Sequence, residues 1–335
     1  MKTYSYKDAP LAVFGVPFFH KNLNFQRVPP ALRETLGGDM ERLGSRCPGA
    51  RIGFRTNASE FSVKLTFKKL TLDIGMSLFA GQSIQVMVGE RKTSRLIGLV
   101  DPPNYETTTI EKTFKKSGEM EEVTLWLPRN DEVIDVTVTM ADDALIEPPT
   151  PYACGKTLFY GSSITEGGCC CNVTNNYVAL LSRWLDMDFY NFGFSGNARG
   201  QLEMADYINS LTDVNMIVMD YDHNAPNAEH LQNTHELFFK RLREKHPTMP
   251  ILMLSRPDFE RDSDGVARRA VIEQTYQNAI AAGDKNVYYI DGETFFGKTD
   301  RGICTIDTVH PNDIGFYRMA ETILPTMQTM LDSIS

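Results

Sequence analysis

Thr157-Leu158-Phe159-Tyr160-Gly161-Ser162-Ser163-Ile164-Thr165 sets a short apolar run directly against a glycine and two serines. A run of this length, closed by glycine, reads as a buried strand, and the serines after it fall where the chain turns toward a helix. A serine there meets free backbone N–H groups and the positive end of the helix dipole, both of which favour developing negative charge. The same residues also have a plainer use, because Ser and Thr are good helix N-caps.

The far end of the chain supplies what a serine nucleophile needs. Asp307-Thr308-Val309-His310 places a carboxylate and an imidazole at i and i+3, close enough for one tight turn to bring them together. His310 precedes Pro311, which disfavours helix at that residue and holds it in a loop. A serine oxygen is a weak nucleophile until a base takes its proton, and that base works best when a carboxylate fixes its tautomer. Ser163, Asp307 and His310 are therefore the expected catalytic residues of a serine hydrolase.

Working outward, two halves with different periods appear. From about Arg51 to Met140 apolar residues alternate: Phe61, Val63, Leu65 and Phe67; Ile84, Val86 and Val88; Val123, Leu125 and Leu127; Ile134, Val136, Val138 and Met140. Short period-two runs separated by turn residues are half-buried antiparallel strands, so residues 1–150 are expected to form an all-β sandwich of jelly-roll type. Glu147-Pro148-Pro149-Thr150-Pro151 marks the linker, since proline cannot continue a sheet ladder and stiffens the chain. Beyond it, in residues 151–335, apolar runs at 157–160, 189–192, 214–220, 251–254 and 287–290 alternate with helical patterns. That alternation is the signature of a parallel sheet covered by helices on both faces.

In such a sheet ligands bind beyond the carboxyl ends of the strands. Gly161–Thr165, Gly193–Arg199, Asp220–Pro226 and Asp307–His310 all fall there by sequence. Gly196 lets a backbone N–H approach a substrate oxygen, and Asn224 offers a side-chain amide to an oxyanion. Asp222, His223 and Arg199, with Arg256, are candidate substrate contacts. Asp220, Asp222 and His223 have metal-ligand chemistry but no partner cluster in the sequence, so no metal is expected.

A formal net charge of −9 argues against nucleic acid or an anionic membrane as partner. No apolar stretch approaches the roughly 18 residues of a spanning helix. The polar start, Met1 to Pro10, has no apolar signal core, which gives a cytoplasmic expectation. The 6 cysteines include a consecutive triplet, Cys169 to Cys171, a poor framework for disulfides; free thiols are expected.

Together the four blocks resemble the SGNH hydrolases, or GDSL esterases and lipases, over about Lys156 to Leu331. Ser163 matches the nucleophile of that family, Gly196 and Asn224 match its oxyanion-hole residues, and Asp307 with His310 match its acid and base. Two positions depart from the family pattern. Ser162 stands where an Asp is common, and Asp220-Tyr221-Asp222-His223-Asn224 replaces the usual Gly-x-Asn-Asp. The resemblance implies a flavodoxin-like α/β catalytic domain behind a jelly-roll-like accessory domain. It also implies a carbohydrate esterase that removes small acyl groups, acetyl above all, without a cofactor. An acyltransferase using the same acyl-enzyme, or a carbohydrate-binding protein with a decayed site, are the alternatives.

Overall fold

Strand Cys154–Gly161 lies in the interior of a five-stranded parallel sheet. Met187–Gly193 pairs on one side of it and Val214–Asp220 on the other, followed by Ile251–Leu254 and Val287–Ile290. The computed structural model describes residues 1–258 and 263–334; residues 259–262 and Ser335, inside the expected 151–335 domain, lie outside the described residues. Taken in chain order the strands run 2-1-3-4-5, the flavodoxin-like arrangement, whose crevice opens between the first and third strands. Ser163 follows the first of these and Asn224 the third.

Alternation along each strand divides the sheet between two cores. Phe159, Phe189, Met216, Val218 and Leu252 face helices Tyr177–Leu185 and Asp313–Asp332. Leu158, Tyr160, Tyr190, Ile217, Met219 and Ile251 face helices Leu202–Asn209, Ala228–Lys245 and Ser263–Ala281. The parallel sheet with helices on both faces is thus as expected. Leu237 stays exposed on helix Ala228–Lys245.

The N-terminal half packs two antiparallel sheets around one core. One holds Lys2–Ser5, Val133–Met140, Glu60–Phe67 and Thr109–Lys115; the other is built on Arg51–Thr56, Glu121–Trp126, Ile84–Val88 and Arg95–Val100. Phe61, Val63, Leu65 and Phe67 all point inward, as their period requires. Ile134 does not. A register irregularity pairs Phe67 with Val133 but Thr66 with Asp135, so Val133 takes the inward place and Ile134 is exposed. Strand Ile84–Val88 is buried on both faces, because the catalytic half covers the side expected to meet water.

That covering is extensive. Trp126 stacks on Phe189 with ring centroids 6.1 Å apart, and the Arg51 guanidinium lies 4.0 Å from the same Phe189 ring. Met76, Ala80, Met87 and Trp126 share one core with Phe159 and Phe189. The Pro-rich linker is held by Arg91, which donates to Pro151 O at 3.1 Å and to Asp186 Oδ1 at 3.0 Å. Three short helices, Phe19–Asn22, Pro30–Leu36 and Met40–Ser45, precede the first long strand of the N-terminal half. Arg27 ties the last of them to the carboxyl end of the parallel sheet: fully buried, it donates to the carbonyls of Leu43, Arg46, Asn191 and Gly193 at 2.6–3.0 Å.

Candidate active site

The turn out of the first strand separates the roles of its hydroxyls. Ser162 is the helix N-cap, its Oγ accepting the Ile164 N–H at 3.1 Å. Thr165 is buried and donates to Asp220 Oδ2 at 2.8 Å. Ser163, the first residue of the helix, is left facing the cleft, and its N–H has no intrahelical acceptor. Gly161 is required by this packing, because a methyl group there would lie 2.0 Å from Thr165 Oγ1 and 2.4 Å from Asp220 O.

Ser163 Oγ lies 2.8 Å from His310 Nε2, and His310 Nδ1 lies 2.7 Å from Asp307 Oδ2. With Asp307 ionised, Nδ1 carries the proton and Nε2 is left to accept the serine hydrogen. The other Asp307 oxygen accepts the backbone N–H groups of His310 at 2.7 Å and Val309 at 3.0 Å. Partial burial raises the Asp307 pKa, but those N–H bonds and the imidazole outweigh it and hold the carboxyl below the ordinary carboxylate value. The loop is closed at its base by Ile306 N–H to His310 O at 3.0 Å and Asn312 N–H to Cys304 O at 2.9 Å.

Gly196, at φ +71°, and Asn224 stand across from the serine, but they are turned on each other. Gly196 N–H donates to Asn224 Oδ1 at 3.1 Å, and Asn224 Nδ2 donates to Phe194 O at 2.8 Å.

Ser163, Gly196, His223, Asn224, Asp307 and His310 line one cleft of about 670 Å³. Asp222 and Arg199, expected as substrate contacts, lie outside its lining. Asp222 is buried behind the loop, where desolvation pushes its carboxyl up to about 6 and Oδ2 accepts the Arg256 N–H at 3.0 Å. Arg199 is exposed on the outer side and braces the loop by donating from Nε to Gly196 O at 3.1 Å. Among the described residues no group of three or more His, Cys, Asp or Glu side chains converges as a metal site would.

The opposite wall comes from the N-terminal half: Arg42, Arg46, Asp73, Met76 and Arg129 line the same cleft. Beneath them Glu166, wholly buried, joins the two halves. Its Oε2 accepts from Arg129 at 3.2 Å, from the Ser195 N–H at 3.1 Å and from the Ser195 hydroxyl, while Oε1 sits 3.9 Å from both Arg27 and Arg46. Burial raises its pKa, yet Arg129, Arg27 and Arg46 together hold it below the ordinary glutamate value. None of these wall residues carried a motif. The three-residue offset of Glu166 from Ser163 was visible in the sequence, but its arginine partners come from distant segments.

Residues 155–328 match the model of the GDSL-like lipase/acylhydrolase family, and residues 3–146 match that of the N-terminus of SGNH hydrolase-type esterases. The chain belongs to the GDSL-like lipase/acylhydrolase family, a family of carboxylic ester hydrolases. No match was found among curated proteins. Its fold is similar to that of a protein from Bacteroides ovatus described as a GDSL-like lipase, at 24% identity and TM-score 0.88 over 99% of this chain and 98% of the other. A salicylyl-acyltransferase, SsfX3, of a tetracycline biosynthetic pathway is similar at 20% identity and TM-score 0.81, covering 98% and 97%. A family two carbohydrate esterase from Clostridium thermocellum is similar at 16% identity and TM-score 0.64, covering 85% and 93%.

Proposed function

We propose that this chain is a serine esterase that removes small acyl groups, acetyl above all, from carbohydrate esters. As Ser163 Oγ attacks the ester carbonyl, His310 Nε2 takes its proton, and Asp307 holds and stabilises the imidazolium. The Ser163 and Gly196 N–H groups and the Asn224 amide receive the oxyanion. His310 then returns the proton to the departing alkoxide. Water, deprotonated by His310, frees the acid from the acyl-enzyme, so the residues complete the cycle without a cofactor. The observation that carries this is the continuous 2.8 Å and 2.7 Å hydrogen-bond chain from Ser163 through His310 to Asp307 at the cleft floor. Likeness to a family two carbohydrate esterase supports the sugar ester.

Acyl transfer to an alcohol is the second reading, and likeness to a salicylyl-acyltransferase favours it. Water access favours hydrolysis: the His310 and Asp307 side chains are 29% and 46% exposed. The two are separated by assaying nitrophenyl esters of increasing chain length beside acetylated sugars, with and without added alcohols. Hydrolysis of acetyl esters, lost in Ser163→Ala, is expected; product that appears only with an acceptor would establish the transferase. Binding of sugar without turnover of any ester would leave only a decayed site.

A further inference from the structure

Arg46 differs from the other arginines around the cleft in having nothing to donate to. Its side chain is 4% exposed, yet it lines the cleft that holds Ser163 and His310. Arg27 satisfies four carbonyls, and Arg129 is bonded to Asp73, Asn130, Glu166 and Ser195. The Arg46 guanidinium makes no hydrogen bond among the described residues, and its Nε is enclosed without an acceptor. Glu166 Oε1 at 3.9 Å is beyond hydrogen-bond range and is shared with Arg27. Asp131, also within electrostatic reach, is already bonded to Thr71 and Gln82.

Nε is shut away from solvent, and the two terminal nitrogens, which open only toward the cleft, have no protein acceptor, so the wall presents unspent donors to whatever binds there. Burial, and the like charges of Arg42 and Arg129, lower the Arg46 pKa in spite of Glu166, a strain that an arriving anion relieves. The planar fork of arginine matches two oxygens on one carbon, the shape of a carboxylate. Arg42, held to Asp39 through one nitrogen, stands on the same wall with further N–H groups unspent. Ile74, Ile306 and Val309, exposed at the rim, suit the carbon skeleton of a substrate.

We propose that Arg46 receives a free carboxylate on the substrate, so that the preferred esters are acylated carboxylic acids, of which an O-acetylated sugar acid is one. This rests on the reading of Ser163 as nucleophile and deepens it.

The test compares wild-type kcat/KM on 4-acetoxybenzoate with that on neutral 4-acetoxybenzamide, and on nitrophenyl hydrogen succinate with nitrophenyl butyrate. The pairs place the carboxylate on the alcohol and on the acyl side. Preference for the charged member of at least one pair by about tenfold or more is expected, the scale of a charge-assisted hydrogen bond. Arg46→Gln should lower kcat/KM for that member about tenfold more than for its neutral partner, and Arg46→Lys should restore part of the preference. Equal turnover of both pairs by the wild type overturns the proposal with no variant needed. So does a preference that survives Arg46→Gln, or 4-acetoxybenzenesulfonate taken in preference to 4-acetoxybenzoate. Failure of the underlying reading looks different: wild-type protein would turn over neither member, or Ser163→Ala would leave turnover intact.

Discussion

Gly196 donates its N–H to Asn224 Oδ1 at 3.1 Å, so two of the groups assigned to the oxyanion are paired with each other. An arriving oxyanion must displace the amide oxygen from Gly196 and draw on the second Nδ2 hydrogen of Asn224, the first being spent on Phe194 O. Asn224→Ala should cost kcat about 10²–10³-fold, as loss of an oxyanion donor does. Asn224→Asp should cost at least as much, because it keeps the acceptor that holds Gly196 and adds negative charge where the oxyanion forms. Steady-state kinetics on nitrophenyl acetate decide this, and an active Asn224→Asp enzyme would remove Asn224 from the oxyanion hole.

The Ser163 hydroxyl should react with a fluorophosphonate probe, and Ser163→Ala should abolish labelling while the protein stays folded. His310→Ala should lower kcat about 10²–10⁴-fold through loss of proton transfer. Asp307→Ala should cost less, since the Asp307 carboxylate is 46% exposed and water can take part of its role. Labelling that persists in Ser163→Ala and vanishes in Ser162→Ala would be a surprise, because Ser162 is buried and caps the helix.

What was legible in the sequence was whatever one segment can carry alone. The strands Val214–Asp220, Ile251–Leu254 and Val287–Ile290 follow from short apolar runs, Met216 to Met219 in the first. Asp307 and His310 are legible because three residues of spacing force them together. The wall opposite Ser163 was not. Arg27, Arg42 and Arg46 lie on or between short helices with no clear period, and Arg129 follows a strand end. Only the docking of the two halves gives these residues a common address. For Asp222 and Arg199 the converse holds: they neighbour Asn224 and Gly196 in the chain, but Asp222 is buried behind the loop and Arg199 is exposed outside the cleft lining.

Glu166→Gln should destabilise the protein by about 3–5 kcal/mol, the usual result of leaving buried ionic partners uncompensated. The glutamine oxygen can still accept from Arg129 and Ser195, but its amide then faces Arg27 and Arg46 in place of Oε1. Urea unfolding gives the stability change. A parallel fall in kcat is expected, because Ser195 precedes Gly196 and loses its anchor. Unchanged stability would mean that the arginines are paired by water rather than by Glu166.

Asp220 is buried beneath the nucleophile turn, and desolvation pushes its carboxyl up to about 7, with Asp222 adding to the rise. A carboxyl raised in the folded state supports folding fully below its ordinary value of 3.8 and loses that support as pH rises through about 7. Asp220→Asn should therefore raise thermal stability relative to wild type more at pH 8 than at pH 4. Thr165 and Tyr177, each 2.8 Å from Oδ2, can donate equally to the asparagine oxygen. A difference in Tm between variant and wild type that is the same at both pH values would show that Asp220 is not neutral in the folded protein.

Removing residues 1–150 should do more than trim the substrate range. The deletion takes away Arg42, Arg46, Asp73, Met76 and Arg129 and with them one wall of the cleft. It also strips Trp126 and Arg51 from Phe189, and Met76, Ala80 and Met87 from the core around Phe159. Glu166 would lose all three arginines, and the carbonyls of Asn191 and Gly193 would lose Arg27. An exposed apolar patch beside an unpaired buried carboxylate predicts a fragment that aggregates. Trp126→Ala is the gentler probe. It should cost about 3–5 kcal/mol, the range for truncating a buried aromatic, without touching the Ser163 chemistry. Expression of residues 151–335 as a soluble, monomeric and active fragment would show that the shared core is dispensable and that the N-terminal half serves only to shape the cleft.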